Sequence, residues 1–423
     1  MKEWRALLSE GRPLKIKFGA DVTAPFMHLG HAVNLWMMRA MQERGHRVQF
    51  LIGDFTTLIG DPTGRSGARA ARSPAEIERD AEAFIRQVGK ILIVDDPRLF
   101  EVTRNSSWWA KKPLAEFIEL LGAVNVPRLL SRDMFKARLR DGKELGTHEL
   151  VYPVLQGWDS VELASDLTIV GSDQLFNEAM GRFFQARSGM RQQVVITTKI
   201  TPGLDGVNKQ SKSLNNFVAL DDTPRDCFGK LMSLPDRLVV EWLSVYTELP
   251  LARVREIEAA LGSGGCNPRD AKLELARAVT ARLHGAEAAS REERWFIETI
   301  AGRAFPEDAP LVSWPGASIT ALELAALSPN GSSSPTLSPT AAAAAPSRSE
   351  LRRLIAQGGL EFDGRRLSDP LESIALGGGE HRVKVGRRGF FRLRTAARSS
   401  GVGASAAEEV STAVSWGPCG AGC

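Results

Sequence analysis

The sequence predicts an α/β protein in which a parallel sheet flanked by helices is followed by an all-α region and a small α+β module. Three observations carry this expectation. Residues 15–20, 31–45 and 48–54 read as strand, amphipathic helix and strand, a succession whose crossover suits parallel pairing. From 226 to about 327 the apolar spacing turns wholly helical, beginning with CFGKLMSLPDRLVVEWLSVY. After a run of Ser, Pro and Ala at 328–346, which cannot bury a core and reads as a flexible linker, residues 347–395 resume with a basic helix, a Gly turn and two short strands.

Composition sets bounds on function. The chain has 423 residues, 43% of them hydrophobic, enough for two or three domains with a sizeable core. No apolar run approaches the roughly twenty residues of a membrane span, and MKEWRALLSEGRP lacks the apolar segment of a secretory signal, so the expected compartment is the cytoplasm. Cys227, Cys266, Cys419 and Cys423 include no CxxC pair, which argues against a zinc site or a disulfide framework, and no structural metal is expected. The formal charge is +4, yet 346–395 alone holds eleven Lys or Arg against six Asp or Glu, a distribution that suits RNA contact through one appendage. The tail at 396–423 is rich in Ala, Ser and Gly and is expected to be disordered.

In chain order, KIKFGADVTAPFMHLGH (15–31) ends a strand at Gly19, passes Asp21 and Thr23, and delivers His28-Leu29-Gly30-His31. Val33, Trp36, Met37, Ala40 and Met41 recur with helical period, so His31 opens a helix whose N–H groups face whatever the loop holds. A helix N-terminus favours anions, two imidazoles three residues apart can donate to phosphate oxygens, and Gly30 lets the backbone approach closely. The plainer alternative is a pair of capping histidines. A second strand follows at 48–54, and ligands of such sheets bind at the carboxyl ends of the strands, where Gly19, Asp21 and the HLGH turn lie.

The segment 62–72 reads as a flexible basic loop, and Ser73-Pro74-Ala75-Glu76 as a capping box opening a helix to about Gly89. Residues 98–108 suggest a strand and a turn, and 113–145 suggest helices around Leu114, Phe117, Ile118 and Leu121. Arg128, Arg132, Lys136, Arg138 and Arg140 make 124–142 basic on one side, which ordinarily marks a solvated face. In the next helix Tyr152, Gln156 and Asp159 share one face while Val154, Leu155, Trp158 and Val161 cover the others. A polar stripe on a buried helix is costly unless it is satisfied, either by a ligand or by an internal hydrogen-bond network. Leu167–Val170 reads as a buried strand running into Gly171-Ser172-Asp173-Gln174, and Val194–Thr197 as the last strand of the sheet. The turn Leu204-Asp205-Gly206 then leads to Lys209-Gln210-Ser211-Lys212-Ser213, two ammonium groups and two hydroxyls on a loop expected to be mobile.

An early HxGH with a late KxSKS is the paired signature of the class I aminoacyl-tRNA synthetases. More closely, GADxTAP before HLGH, LIGDFTTLIGDPTGRS, YPVLQGWDS, VGSDQ and GLDGVNKQSKS occur here in the order of bacterial tyrosyl-tRNA synthetases. The resemblance covers residues 12–235 densely, continues faintly to 325 and returns at 347–395, which is similar to the small RNA-binding domain of those enzymes. It implies a Rossmann-like catalytic domain (1–225), a helical anticodon-side domain (226–327), a linker (328–346), an RNA-binding domain (347–395) and a homodimer, with ATP, L-tyrosine and tRNA(Tyr) as substrates and Mg²⁺ arriving with ATP. The 124–142 insertion would help form the dimer interface and approach the tRNA acceptor end.

The resemblance also implies roles for single residues. His28 and His31 would contact the phosphates with Thr23, and Lys209 and Lys212 would hold the departing pyrophosphate. Gly19 and Asp173 match ribose-binding positions, Gln174 lies beside the substrate carboxylate and α-phosphate, and Asp21, Gly30, Gly171, Ser211 and Ser213 complete the nucleotide side. Asp61, Tyr152, Gln156 and Asn105 match the α-ammonium network, and Asp159 the carboxylate that receives the phenolic hydroxyl. Three positions depart from the family pattern: Gln210 replaces the Met of KMSKS, Val22 follows Asp21 where Pro is expected, and Lys17 stands where many of these enzymes have a second phenol-binding Tyr. They admit a second reading, a paralogue activating tyrosine or an analogue for a specialised pathway. A catalytically inactive RNA-binding protein on the same scaffold is a third, against which the intact His28, His31, Lys209 and Lys212 speak.

Overall fold

Strands β1 (Lys15–Ala20), β2 (Arg47–Ile52), β3 (Phe100–Arg104), β4 (Leu167–Gly171) and β5 (Val194–Thr198) form one parallel sheet in the order β3-β2-β1-β4-β5. The computed structural model describes residues 2–22, 25–61, 73–211, 214–302, 304–328, 346–386 and 389–395. Ile16, Phe18, Val48, Phe50, Ile52, Leu167 and Ile169 are buried, as strands covered on both faces require. Because the chain leaves β1 toward β2 on one side and returns beside it as β4 on the other, the crevice between the carboxyl ends of β1 and β4 is the switch point where such sheets bind ligands.

Helix α1 (Lys2–Ser9) precedes the sheet, and α2 (Leu29–Gln42) joins β1 to β2. Between β2 and β3 lie α3 (Asp54–Thr57) and α4 (Pro74–Val88), the latter opened by the expected capping box of Ser73 and Glu76. The long connection to β4 holds α5 (Ser106–Trp109), α6 (Leu114–Gly122), α7 (Val126–Leu130), α8 (Asp133–Arg140) and α9 (Thr147–Glu162), and α10 (Leu175–Arg187) leads to β5. Helices α9 and α10 meet backbone to backbone: a Cβ on Gly157 would lie 2.9 Å from Met180, and one on Gly181 would lie 2.5 Å from Ser160 Oγ. That approach brings the side chains of α10 up to the polar stripe of α9.

Two features of the α6–α8 region differ from the sequence reading. Helix α6 buries none of its residues, so Leu114 and Ile118 stand exposed along with Val126 of α7 and Leu139 of α8. The basic side is not wholly solvated either: Arg138 is buried against Glu149, its Nη1 2.5 Å from Oε2, and Arg132 is buried with its guanidinium 5.2 Å from the ring centroids of both Phe135 and Phe176. Regular spacing of five cations does not reveal which of them meet a partner from elsewhere in the chain.

Helices α11 (Pro224–Met232), α12 (Val239–Tyr246), α13 (Leu251–Gly262), α14 (Pro268–His284) and α15 (Ala286–Trp295) make the expected helical region. It shares one hydrophobic core with the sheet, running from Leu14 and Ile16 through Phe228 and Trp242 to Leu275 and Val279, so position 225 marks a change of secondary structure inside one compact unit that extends to Pro306.

The second unit begins at Glu307, earlier than the sequence suggested. Residues 307–327 were expected to close the helical domain, yet β6 (Leu311–Trp314) pairs in parallel with β12 (Gly389–Thr395), and β7 (Ser318–Thr320) pairs with β10 (Ser373–Ala375). With α16 (Ala321–Ala326), α17 (Arg348–Ala356), β8 (Leu360–Phe362), β9 (Arg365–Leu367) and β11 (Glu380–Val385), they enclose a separate core that includes Ile319, Leu324, Leu351, Ile355, Val383 and Phe391. The five-stranded sheet runs β6-β12-β11-β8-β9. Strand β6 is too short to be recognised from its own residues, because its partner lies beyond the Ser/Pro/Ala segment. Most of the linker (329–345), the 62–72 loop and the 396–423 tail fall outside the described residues. Among the described residues, no helix is long and apolar enough to cross a membrane.

Candidate active site

At the N-terminus of α2, His28 is the capping residue and the two histidines fix each other. Gly30 N donates to His28 Nδ1 at 3.2 Å and His28 N donates to His31 Nδ1 at 3.3 Å, with the ring centroids 4.1 Å apart. The capping reading holds, and it does not compete with the phosphate reading. In a neutral imidazole, an accepting Nδ1 places the proton on Nε2, so the same bonds that cap the helix leave each ring an N–H donor on its far nitrogen. A Cβ on Gly30 would sit 3.0 Å from the His28 ring, so a side chain here would crowd the cap. The turn is held from behind by the segment after the KQSKS loop: Leu29 N donates to Val218 O and Leu220 N to Met27 O, each at 3.0 Å.

The stem of that loop is braced to a degree the sequence did not indicate. Asn216 Nδ2 reaches Asp205 Oδ2 at 3.0 Å and Lys209 O at 3.2 Å, and its Oδ1 accepts from Ser211 N at 2.8 Å. Gly206 takes a positive φ of 80° where its carbonyl accepts from Arg237. Lys209 Nζ lies 3.0 Å from Asp173 Oδ2, on the short helical turn after β4, so the loop and the carboxyl end of the sheet are in contact. Both partners are partly exposed, so this pair costs little to exchange for a phosphate. Gly171 keeps room for Asp173, whose Oδ1 would be 2.9 Å from a Cβ. Around Gly19 a Cβ would meet only Leu51, at 3.8 Å, so protein packing does not demand the glycine. Thr23, Lys212 and Ser213 fall outside the described residues.

The polar stripe of α9 enters two hydrogen-bond chains. Tyr152 OH donates to Asp21 Oδ2 at 3.0 Å, and Asp21 Oδ1 accepts from Thr56 Oγ1 at 2.8 Å. Thr56 in turn accepts from Asn105 Nδ2 at 3.0 Å, and the same amide lies 3.3 Å from Asp159 Oδ2. The second chain runs from Asp61 through Gln174 (2.8 Å) and Asn177 (3.0 Å) to Gln156 (2.8 Å), which donates to Glu178 Oε1 at 2.9 Å. The sequence-chosen residues Asp21, Asp61, Asn105, Tyr152, Gln156, Asp159 and Gln174 thus belong to one region, and partners within the chain satisfy much of the stripe.

Further participants, Thr56 and Asn177 among them, were not singled out from sequence as site residues. Trp108 and Trp109 both donate their indole N–H to Asp159 Oδ1, at 3.0 and 2.9 Å. Glu178 pairs with Lys17, Nζ to Oε2 2.8 Å, with both side chains buried. Its position four residues after Gln174, one helical turn along, was the available signal. Arg132, buried beside the site, has its pKa lowered by desolvation while Asp61, Tyr152 and Asp173 oppose that shift. Burial pushes the Asp159 carboxyl up to about 7, against Lys17 and the three donors that favour the ionised form. Tyr152 is pushed well above its ordinary value, first by burial and then by Asp21 and Asp61, so it stays a neutral donor. Among the described residues, no group of three or more His, Cys, Asp or Glu side chains could hold a metal ion.

Comparison with known proteins agrees with this geometry. Residues 9–301 match the family model described as tRNA synthetases class I (W and Y). A tyrosine–tRNA ligase of Moorella thermoacetica is 42% identical over 391 residues, covering 92% of this chain and 90% of the relative. That of Oleidesulfovibrio alaskensis is 41% identical over 392 residues, covering 93% and 94%. A mitochondrial tyrosyl-tRNA synthetase structure from Coccidioides posadasii, C-terminally truncated, shares the fold with a TM-score of 0.55 at 23% identity, over 69% of this chain and 86% of that one. With the motif residues gathered at the switch point of the sheet and relatives aligned over nearly the full length, the chain belongs to the class I aminoacyl-tRNA synthetases and, within them, to the tyrosine–tRNA ligases.

Proposed function

We propose a division of labour for this tyrosine–tRNA ligase in which each motif residue acts on one part of the substrates. In activation, a carboxylate oxygen of L-tyrosine forms a bond to the α-phosphorus of ATP as the bond to the departing pyrophosphate breaks. The protein's part is to position the reactants and to meet the charge that grows on the phosphate oxygens. His28 and His31, with Thr23, serve those oxygens through Nε2–H; Lys209 and Lys212 take the pyrophosphate. The observation that carries this reading is the capping box of the two histidines at a helix N-terminus, in which each Nδ1 accepts a backbone N–H and the ring proton therefore lies on Nε2. Gly19 and Asp173 hold the ribose, with Asp21, Gly30, Gly171, Ser211 and Ser213 around the nucleotide. Mg²⁺ accompanies ATP on its phosphates.

On the amino-acid side, Asp61, Tyr152, Gln156 and Asn105 form the α-ammonium network and Gln174 the carboxylate side. A carboxylate offers about four acceptor positions; the two indoles take Oδ1 of Asp159 and Asn105 takes one place on Oδ2, which leaves one for a phenolic proton. The exposed Leu114, Ile118, Val126 and Leu139 support a homodimer formed through α6–α8, since monomers rarely expose such apolar surface. The basic module binds tRNA, and the enzyme works in the cytoplasm.

ATP–pyrophosphate exchange measured with all twenty amino acids and with ring-substituted tyrosines tests the substrate. Tyrosine is expected to drive exchange and phenylalanine not to. An analogue that drives it at least as well would replace the translational role with that of a specialised paralogue, and no exchange with any of them would leave an RNA-binding scaffold.

A further inference from the structure

The second residue of the KQSKS loop, Gln210, has a buried polar environment built around it. Its Nε2 donates to Tyr246 OH at 2.7 Å and lies 3.3 Å from Thr201 Oγ1, while the two hydroxyls are 2.5 Å apart. Gln210 and Tyr246 are 7% and 1% exposed, so these bonds are screened little by water. The chain has only two tyrosines; one faces the amino-acid site and the other is this one. Tyr246 sits at the end of α12, and the same helix sends Trp242 Nε1 to Pro202 O at 3.2 Å. Pro202 is bridged to Lys209 across the loop stem, so α12 holds both sides of it. On the other face, the Gln210 amide lies 3.9 Å from the position a Cβ of Gly30 would occupy, against the HLGH turn. Arg282 of α14 completes the circuit, donating to Tyr246 O at 3.0 Å while stacking 3.7 Å over Trp36 of α2, the helix that His28 caps.

We propose that Gln210 is a positioning residue: clasped by Tyr246 and Thr201, its amide ties the Lys209 loop to α12 and sets the distance between that loop and the HLGH turn. A Met at this place would fill the volume without choosing a direction. The amide adds one, because leaving Tyr246 OH or the Gln210 amide without its partner in the interior is unfavourable, whereas replacing both by apolar groups of similar shape is nearly neutral. The helical region thereby gains a grip on the step in which Lys209 meets phosphate. This rests on the assignment of Lys209 to the pyrophosphate.

The test is a double-mutant cycle of Gln210→Met and Tyr246→Phe, with Lys209→Ala as a separate arm, read by ATP–pyrophosphate exchange and by tyrosine dissociation constants. Each single variant is expected to lower kcat/KM for ATP about tenfold with tyrosine affinity unchanged, and the double variant to recover most of the loss. Retained tyrosine binding shows that the variants are folded. Silent single variants, losses that simply multiply in the double, or tyrosine affinity falling in parallel would overturn the proposal. If Lys209→Ala is impaired while both singles are silent, only the clasp fails; if Lys209→Ala is itself silent, the pyrophosphate assignment fails and takes the clasp with it.

Discussion

Lys17 Nζ and Glu178 Oε2 lie 2.8 Å apart, each side chain no more than 2% exposed, and Ser160 Oγ stands at the same 2.8 Å from the ammonium. Glu178 is further held by Gln156 and by Gln193. A cation in a buried strand would be ruinous alone, and here its charge is answered within the protein. Lys17 therefore offers a weaker argument for a tyrosine analogue as substrate than its departure from the family pattern suggests.

Lys17→Met should destabilise the protein by about 3–5 kcal/mol, since it strands the Glu178 carboxylate, and Lys17→Met with Glu178→Gln should lose less than the single change. Urea unfolding of the wild type, Lys17→Met, Glu178→Gln and the double variant measures this. A double variant as unstable as the sum of both singles would mean that the two groups are not coupled.

Tyrosine affinity should depend on pH through Asp159. Its carboxyl, raised to about 7 by burial, is partly protonated near neutrality, and a phenol hydrogen bond favours the ionised form. Binding then releases a proton, so affinity climbs with pH by up to about tenfold per unit below pH 7 and levels off above it. Calorimetry in buffers of different ionisation enthalpy reads the proton directly. A flat profile from pH 5.5 to 8, with no proton released, would remove Asp159 from phenol recognition.

His31→Ala should slow adenylate formation by tens to thousands of fold while changing tyrosine binding little, because its contact strengthens only as phosphate charge develops. The ring also caps α2, so about 1 kcal/mol of stability should go with it. Pre-steady-state adenylate formation separates the two effects. A variant whose chief defect was weaker tyrosine binding would contradict the phosphate role.

Truncation should succeed at one boundary and not at another. Ending the chain after Pro306 removes the second unit whole, and exchange should remain nearly intact while tRNA charging weakens and its salt dependence flattens. Ending it at 328 instead leaves β6, β7 and α16 without the strands and the core they pack into, so that protein should aggregate more readily. Equal solubility and equal charging for the two truncations would argue against the division at 306.

The sequence by itself determined the catalytic sheet's strands, the capped helix after HLGH, the helical middle and most of the polar residues that gather at the candidate site, because each is written in local period, cap or motif. Period 2 and period 3.6 need no partner to be read. What only the tertiary structure decided was pairing. Nothing in KIKF says that its lysine meets Glu178, nothing in NSSWW says that two indoles converge on Asp159, and LVSW becomes a strand only because 389–395 returns beside it. Burial of a charge or an edge is tolerable only where a distant residue supplies the other half, and the one-dimensional chain does not record which residue that is.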